Sequence, residues 1–265
     1  MSDFVIEGLH ATQWGRSSVV LVHGGTPGGG ADGFAGQRPL AQRWRMLLPD
    51  RPGHGKTPAQ GGEDFERDAD LVAPLLKPGG AHVVGHSYGG VVAIYIAARH
   101  PALVRSLTLI EPPAYWLAPD DAATVAMSDA NRALTMDPPA DPRDSLDRFF
   151  AIVGMKPLPP ARDRTKPLPP PLAHAAQSLL SLRGPWEGTV PITELAAGGY
   201  PIQVLTSGRT AGFEGIARAL VKGASATHVV IAGTDHAVQD AGEAVNPLLE
   251  QLWLEADGFP IATSV

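Results

Sequence analysis

The chain has 265 residues, 44% hydrophobic and 18% charged, with a formal net charge of −6 and no basic run, which argues against nucleic acid as a partner. It contains no cysteine, so disulfides, thiolate nucleophiles and Cys-ligated metals are excluded. The N-terminal MSDFVIEGLHATQWG has neither a basic n-region nor a long apolar h-region, and no apolar run reaches ~18 residues, so a cytoplasmic protein without a membrane span is expected.

Short apolar runs alternate with helical patterns over the first hundred residues. Ser18 to Val22 reads as a buried strand ending at His23-Gly24-Gly25, and Trp44 to Leu48 as a second one ending in Asp50-Arg51-Pro52-Gly53-His54-Gly55. Phe65 to Leu76 has a helical pattern, stopped by Lys77-Pro78-Gly79-Gly80. Ala81 to Val84 is a third strand, Gly90 to Arg99 a helix of small residues, and Arg105 to Ile110 a fourth strand closed by Glu111-Pro112-Pro113. Buried strands alternating with helices predict an α/β fold: a mostly parallel twisted sheet with helices on both faces.

The pattern changes from Pro112 to about Gly199, which is rich in Pro, Asp and Ala and contains MKPLPPARDRTKPLPPPL. Short helices and loops are expected there, forming a lid (112–199) inserted into a core of 1–111 and 200–265. Trp116, Phe149, Phe150 and Trp186 give that segment apolar surface to bury, and a disordered proline-rich linker is the competing reading. Sheet pattern returns at Tyr200 to Leu205, then a helix near Phe213 to Val221, a strand over Thr227 to Ala232, and a helix from about Ala241 to Glu255.

Gly85-His86-Ser87-Tyr88-Gly89 fits G-x-S-x-G between a strand and a helix, the setting of a nucleophile elbow. The glycines are needed because flanking Cβ atoms would collide on so tight a turn. The turn also sets the hydroxyl beside a helix N-terminus, where developing negative charge is favoured. The competing reading is a serine that only caps the following helix.

This motif, His23-Gly24-Gly25, the turn DRPGHGKT (Asp50 to Thr57) and Gly233-Thr234-Asp235-His236 follow one another as they do in α/β-hydrolase-fold proteins, which the chain resembles over nearly its full length. The resemblance implies a carboxylic ester or lactone hydrolase in which Ser87 attacks and His236, last in the family order, is the base. It also implies an oxyanion hole from the backbone N–H groups of Gly25 and Tyr88. His86 is expected to point away from the site, and His23 to shape the oxyanion loop without titrating.

The family's usual acid is an Asp after the penultimate strand, but Ser207 to Phe213 holds none, and Glu214 is expected inside the next helix. The other position used in this fold is the end of the strand after the nucleophile helix, where Glu111 stands. Glu111 is therefore the favoured acid, with Glu214 as the alternative and Asp235 or an acid-free dyad behind it. A substrate pocket is expected to draw on Trp116, Phe149 and Trp186, and to take a small to medium, largely apolar ester or lactone. No cofactor and no metal is called for.

Asp50 to Thr57 misses the phosphate-cradling G-x-x-x-x-G-K-[ST] by its first residue. Pro52 removes an N–H and Pro58 to Gly62 cannot begin the receiving helix, so nucleotide binding is rejected. The rivals to ester hydrolysis are carbon–carbon bond hydrolysis, a hydroxynitrile lyase, a non-catalytic ligand receptor and, more distantly, a cofactor-independent oxygenase.

Overall fold

The computed structural model describes residues 2–6, 8–14, 18–25, 28–77, 79–159 and 166–259. Among them are the strands β1 (Ser2–Ile6), β2 (Leu9–Trp14), β3 (Ser18–Val22), β4 (Arg45–Pro49), β5 (Ala81–His86), β6 (Val104–Ile110), β7 (Ile202–Thr206) and β8 (Thr227–Val230). They form one sheet in the order β1-β2-β4-β3-β5-β6-β7-β8. From β4 to β8 every pairing is parallel, while β1 and β2 add an antiparallel edge. That edge was not expected. β1 is largely exposed and lacks the apolar run by which the buried strands are recognised.

Alternate residues of the central strands enter two different cores. Val20, Val22, Val83 and Leu109 join one, and Val19, Leu21, Val84 and Ile110 the other. A parallel sheet buried on both faces explains why these strands read as unbroken apolar runs. The helices are α1 (Gly30–Gly33), α2 (Phe65–Val72), α3 (Tyr88–Arg99), α4 (Ala122–Met136), α5 (Pro142–Val153), α6 (Pro170–Ser181), α7 (Ile192–Ala197), α8 (Ala211–Ala224) and α9 (Gly242–Ala256). α3 packs into the first core and α9 places Leu249 and Trp253 in the second.

Boundaries differ from the sequence reading in physically intelligible ways. α2 ends at Val72 and tightens into a 3₁₀ turn over Ala73–Leu76, where Pro74 offers no N–H. α3 begins at Tyr88, immediately after Ser87, two residues earlier than expected. Between β6 and β7 the chain forms α4 to α7, of which α4, α5 and α6 are longer than expected and α7 is short. α5 is built from local signals: Asp141 accepts from the N–H of Arg143, Pro142 opens the helix, and Gly154 closes it at φ 78°. Leu134, Leu146, Ala176 and Leu179 of α4 to α6 make a small core of their own. The middle of the proline-rich stretch, 160–165, lies outside the described residues.

The register aligns the carboxyl ends of four neighbouring strands: Val22 pairs with Gly85, His86 with Ile110, and Ile110 with Leu205. His23, Ser87, Glu111 and Ser207 thereby emerge close together along one edge of the sheet. Ligands of open α/β sheets bind at this edge.

Candidate active site

Ser87 joins β5 to α3 at φ 51°, ψ −127°, a conformation that costs a non-glycine residue about 1–3 kcal/mol. Its N–H is tied to Ile110 O at 2.9 Å. A Cβ on Gly85 would stand 2.4 Å from Gly89 O, and one on Gly89 2.1 Å from Val22 O, so only glycine fits at either place. The Ser87 side chain does not cap α3, which removes the capping reading. Its Oγ lies 2.9 Å from His236 Nε2.

Glu111 is fully buried and also has positive φ, 41°. Its Oε2 lies 2.7 Å from His236 Nδ1. Its Oε1 accepts from the N–H (2.7 Å) and the hydroxyl (2.6 Å) of Ser207. A carboxylate can only accept, so Nδ1 carries the imidazole proton and Nε2 presents a lone pair to the Ser87 hydroxyl. Glu214 lies in the first turn of α8, 3.6 Å from His228, and Asp235 accepts from the N–H of Ala237. The carboxylate in contact with His236 thus comes from the end of β6, and the loop after β7 contributes a serine bonded to it.

Two further groups hold His236. Phe213 stacks on it with centroids 4.9 Å apart and planes 10° from parallel. His86, expected to point away, instead lines the cavity and donates Nε2–H to His236 O at 2.9 Å. Burial, reinforced by His236, pushes the His86 pKa down to about 3, so this ring stays a neutral donor. Sequence reasoning missed this role because the two residues are 150 positions apart.

On the other side of Ser87 runs His23-Gly24-Gly25. The N–H of Arg51 donates to His23 Nε2 at 3.0 Å, which fixes the proton on Nδ1, and Nδ1–H donates to Gly24 O at 2.6 Å. Burial first, and the Arg51 guanidinium second, hold the His23 pKa well below the ordinary histidine range. The Asp50 carboxylate accepts from the N–H groups of Gly30 and Lys56, so the Lys56 amide of the DRPGHGKT turn is engaged within the fold.

A cavity of about 400 Å³ opens over Ser87, Tyr88, Gly25 and His236. Its walls are largely apolar, with Phe149, Phe150, Val153, Leu179 and Trp186 among them. Phe149 and Trp186 therefore stand where the sequence suggested. Trp116 does not. Its indole N–H is bonded to Val190 O at 2.8 Å and its ring packs beneath Gly188, away from the cavity. His174 of α6 also lines it and meets the His54 ring at 5.3 Å.

Residues 19–248 match the α/β hydrolase family. The chain belongs to that family. Among similar sequences, the pimeloyl-[acyl-carrier protein] methyl ester esterase of Chromobacterium violaceum is 35% identical over 150 residues, 57% of this chain and 58% of that protein. The enzyme of the same name from Aeromonas salmonicida is 33% identical over 143 residues, 52% and 54% of the two chains. The chain thus matches little more than half the length of these relatives. Among solved structures, a mutant of the N-acyl homoserine lactonase AidH, complexed with N-hexanoyl homoserine, superposes with a TM-score of 0.68 at 20% identity, covering 98% of each chain. An esterase from Thermogutta terrifontis gives 0.60 at 21%, covering 92% of this chain and 94% of that one. At such identity these two likenesses speak to the fold. No helix among the described residues is long and apolar enough to cross a membrane.

Proposed function

We propose that this α/β hydrolase is a carboxylic ester hydrolase that cleaves a small to medium, largely apolar ester or lactone through an acyl-enzyme. The observation that carries the reading is the unbroken contact from Glu111 through His236 to Ser87, with Ser87 Oγ at the floor of an apolar cavity. In this reading Ser87 attacks the carbonyl as His236 Nε2 takes its proton. Glu111 holds the tautomer and stabilises the imidazolium. The Gly25 and Tyr88 N–H groups receive the charge on the tetrahedral oxygen, a contribution of about 2.7–4 kcal/mol per donor. The imidazolium returns its proton to the leaving oxygen, and water repeats the sequence to free the acid and Ser87.

Residues 112–199 act as the lid over this site, α5 and α6 supplying apolar wall for the acyl or alkoxy arm. The volume lies toward the small end of the ~300–1,000 Å³ usual for small-molecule pockets, which favours a short or medium chain. The names of the sequence relatives, methyl ester esterases, agree with ester chemistry. The test is labelling by a fluorophosphonate together with turnover of p-nitrophenyl butyrate. The expected result is one label, on Ser87, and hydrolysis abolished in S87A. Hydrolysis retained in S87A, or a native protein that neither labels nor turns over, overturns the reading.

A further inference from the structure

Beneath the His23-Gly24-Gly25 loop lies a buried polar cluster that the chemistry above does not use. Arg51 is fully buried, yet its guanidinium makes a full set of contacts. Nε donates to His23 O (2.9 Å) and Nη2 to Gly24 O (2.9 Å), while Nη1 reaches Glu63 Oε2 (2.6 Å) and Asp68 Oδ2 (3.0 Å). Tyr88 covers the guanidinium, its ring centre 4.9 Å from Cζ.

The contact to Gly24 O matters because of peptide planarity. The Gly24 carbonyl and the Gly25 N–H are opposite edges of one rigid plane, so fixing the oxygen aims the hydrogen. Gly24 O accepts twice, from Arg51 Nη2 and from His23 Nδ1, which uses both its lone pairs. The plane can then turn only by breaking a charge-assisted bond. Arg51 also holds the preceding plane through His23 O, so two successive peptides are clamped by one planar fork. The loop is pressed on the nucleophile: a Cβ on Gly24 would lie 2.7 Å from Ser87 Cβ.

The cluster continues into the lid. Glu63 Oε1 accepts from Ser178 Oγ of α6 and lies 3.1 Å from His54 Nε2. The segment after α6 is tied to the same place, since Arg183 N donates to Glu63 O at 2.8 Å and Tyr88 Oη donates to Arg183 O at 3.1 Å. A continuous path therefore runs from α6 through Ser178, Glu63 and Arg51 to the Gly24–Gly25 peptide.

We propose that Arg51 is the positioning residue for the Gly25 N–H donor, and that the Ser178–Glu63 bond makes the aim of that donor depend on how α6 is seated. The proposal rests on the reading of Gly25 as an oxyanion donor. A donor aimed at a tetrahedral oxygen contributes to the transition state and little to the planar ground state, so its misalignment lowers kcat and leaves KM.

The experiment measures kcat, KM and the Ki of butylboronic acid, which forms a tetrahedral anion on a serine, for native protein, R51K and S178A. A lysine keeps the charge but, as a single point donor, cannot hold two carbonyls and two carboxylates at once. Expected for R51K is a fall in kcat of about 10²-fold with boronate affinity weakened in step and KM within about threefold. Expected for S178A, which leaves Arg51 in place, is a smaller parallel fall of about three- to tenfold, the size of a typical hydrogen bond's net contribution. Should R51K not fold, the charge-free triple R51M/E63Q/D68N carries the R51K expectation, since it leaves no buried charge unpaired. A native protein with no esterase activity and no labelling of Ser87 refutes the underlying reading. An active native protein with R51K, or the triple, at native kcat and boronate affinity, or with loss confined to KM, refutes the role of Arg51. Native values in S178A refute the link to α6.

Discussion

Replacing Glu111 by Gln changes one atom's chemistry and nothing of its volume, and the surroundings fix how the amide must lie. Oε1 faces two donors, the N–H and hydroxyl of Ser207, so the amide oxygen belongs there and the NH₂ turns toward His236. The imidazole must then offer a lone pair at Nδ1, which moves its proton to Nε2, facing Ser87. That tautomer cannot accept the serine proton. Restoring the productive one turns the NH₂ toward Ser207, whose hydroxyl can rotate to accept it but whose N–H is left unmatched, at about 1–3 kcal/mol. That penalty adds to the loss of the negative charge beside the imidazolium, and the same chemical change in serine proteases lowers kcat by ~10⁴-fold. The expected outcome for E111Q is a fall in kcat of about 10³–10⁴-fold on p-nitrophenyl butyrate, with KM within about threefold. E214Q, whose carboxylate faces His228, should stay within about twofold of native by the same assay. An E111Q enzyme keeping more than about a tenth of native kcat would refute the assignment of the acid, and a collapse in E214Q would redirect it.

Removing the Ser207 hydroxyl takes one of two donors from Glu111 Oε1, and S207A should lose about tenfold in kcat in the same assay. Gly25→Pro deletes the proposed donor N–H and should slow the acylation burst by about 10²–10³-fold, read by stopped flow. Gly24→Ala would drive a Cβ to 2.7 Å from Ser87 Cβ, and fluorophosphonate labelling of that variant should be lost. Acid stability follows from two buried groups. Burial alone would raise Glu63, but Arg51 and His54 outweigh it and hold the pKa at about 2, so its contribution is present above the ordinary carboxylate range and lost as pH falls toward 2. Neutral His86, pushed down by burial to about 3, gains a proton on unfolding between about pH 6.5 and 3, which also favours the unfolded state in acid. Tm should therefore fall progressively below about pH 6.5, and E63Q should flatten the part of the curve between about pH 4.5 and 2.

What the sequence made legible is what burial and turn chemistry write locally. The central parallel strands are apolar on both faces, so Ser18 to Val22 and Ala81 to Val84 stand out without any partner in view. Ser87 is recognisable because a strand, two glycines and a helix meet around it, and Glu111 because the usual acid loop is empty of Asp. The antiparallel edge strands β1 and β2 carried no such signal, since β1 faces solvent. Ser207, His86 and Arg51 were passed over for a different reason. Each meets a group distant along the chain: Ser207 meets Glu111, 96 positions away, through the register of β6 and β7, Arg51 meets the loop after the neighbouring strand β3, and His86 meets His236 150 positions on. Trp116 shows the converse: an aromatic in the lid segment suggests a pocket wall, but its N–H found Val190 O and its ring packs against the core.

The central claim is that Ser87 carries the acyl group between attack and release. Mixing the protein with p-nitrophenyl butyrate, quenching in acid during the burst and analysing the intact chain and its peptides by mass spectrometry tests it directly. The expected result is one added butyryl group on the peptide containing Ser87, appearing with the burst of p-nitrophenol and absent from S87A. Steady turnover with no adduct at any quench time, and undiminished in S87A, would contradict it.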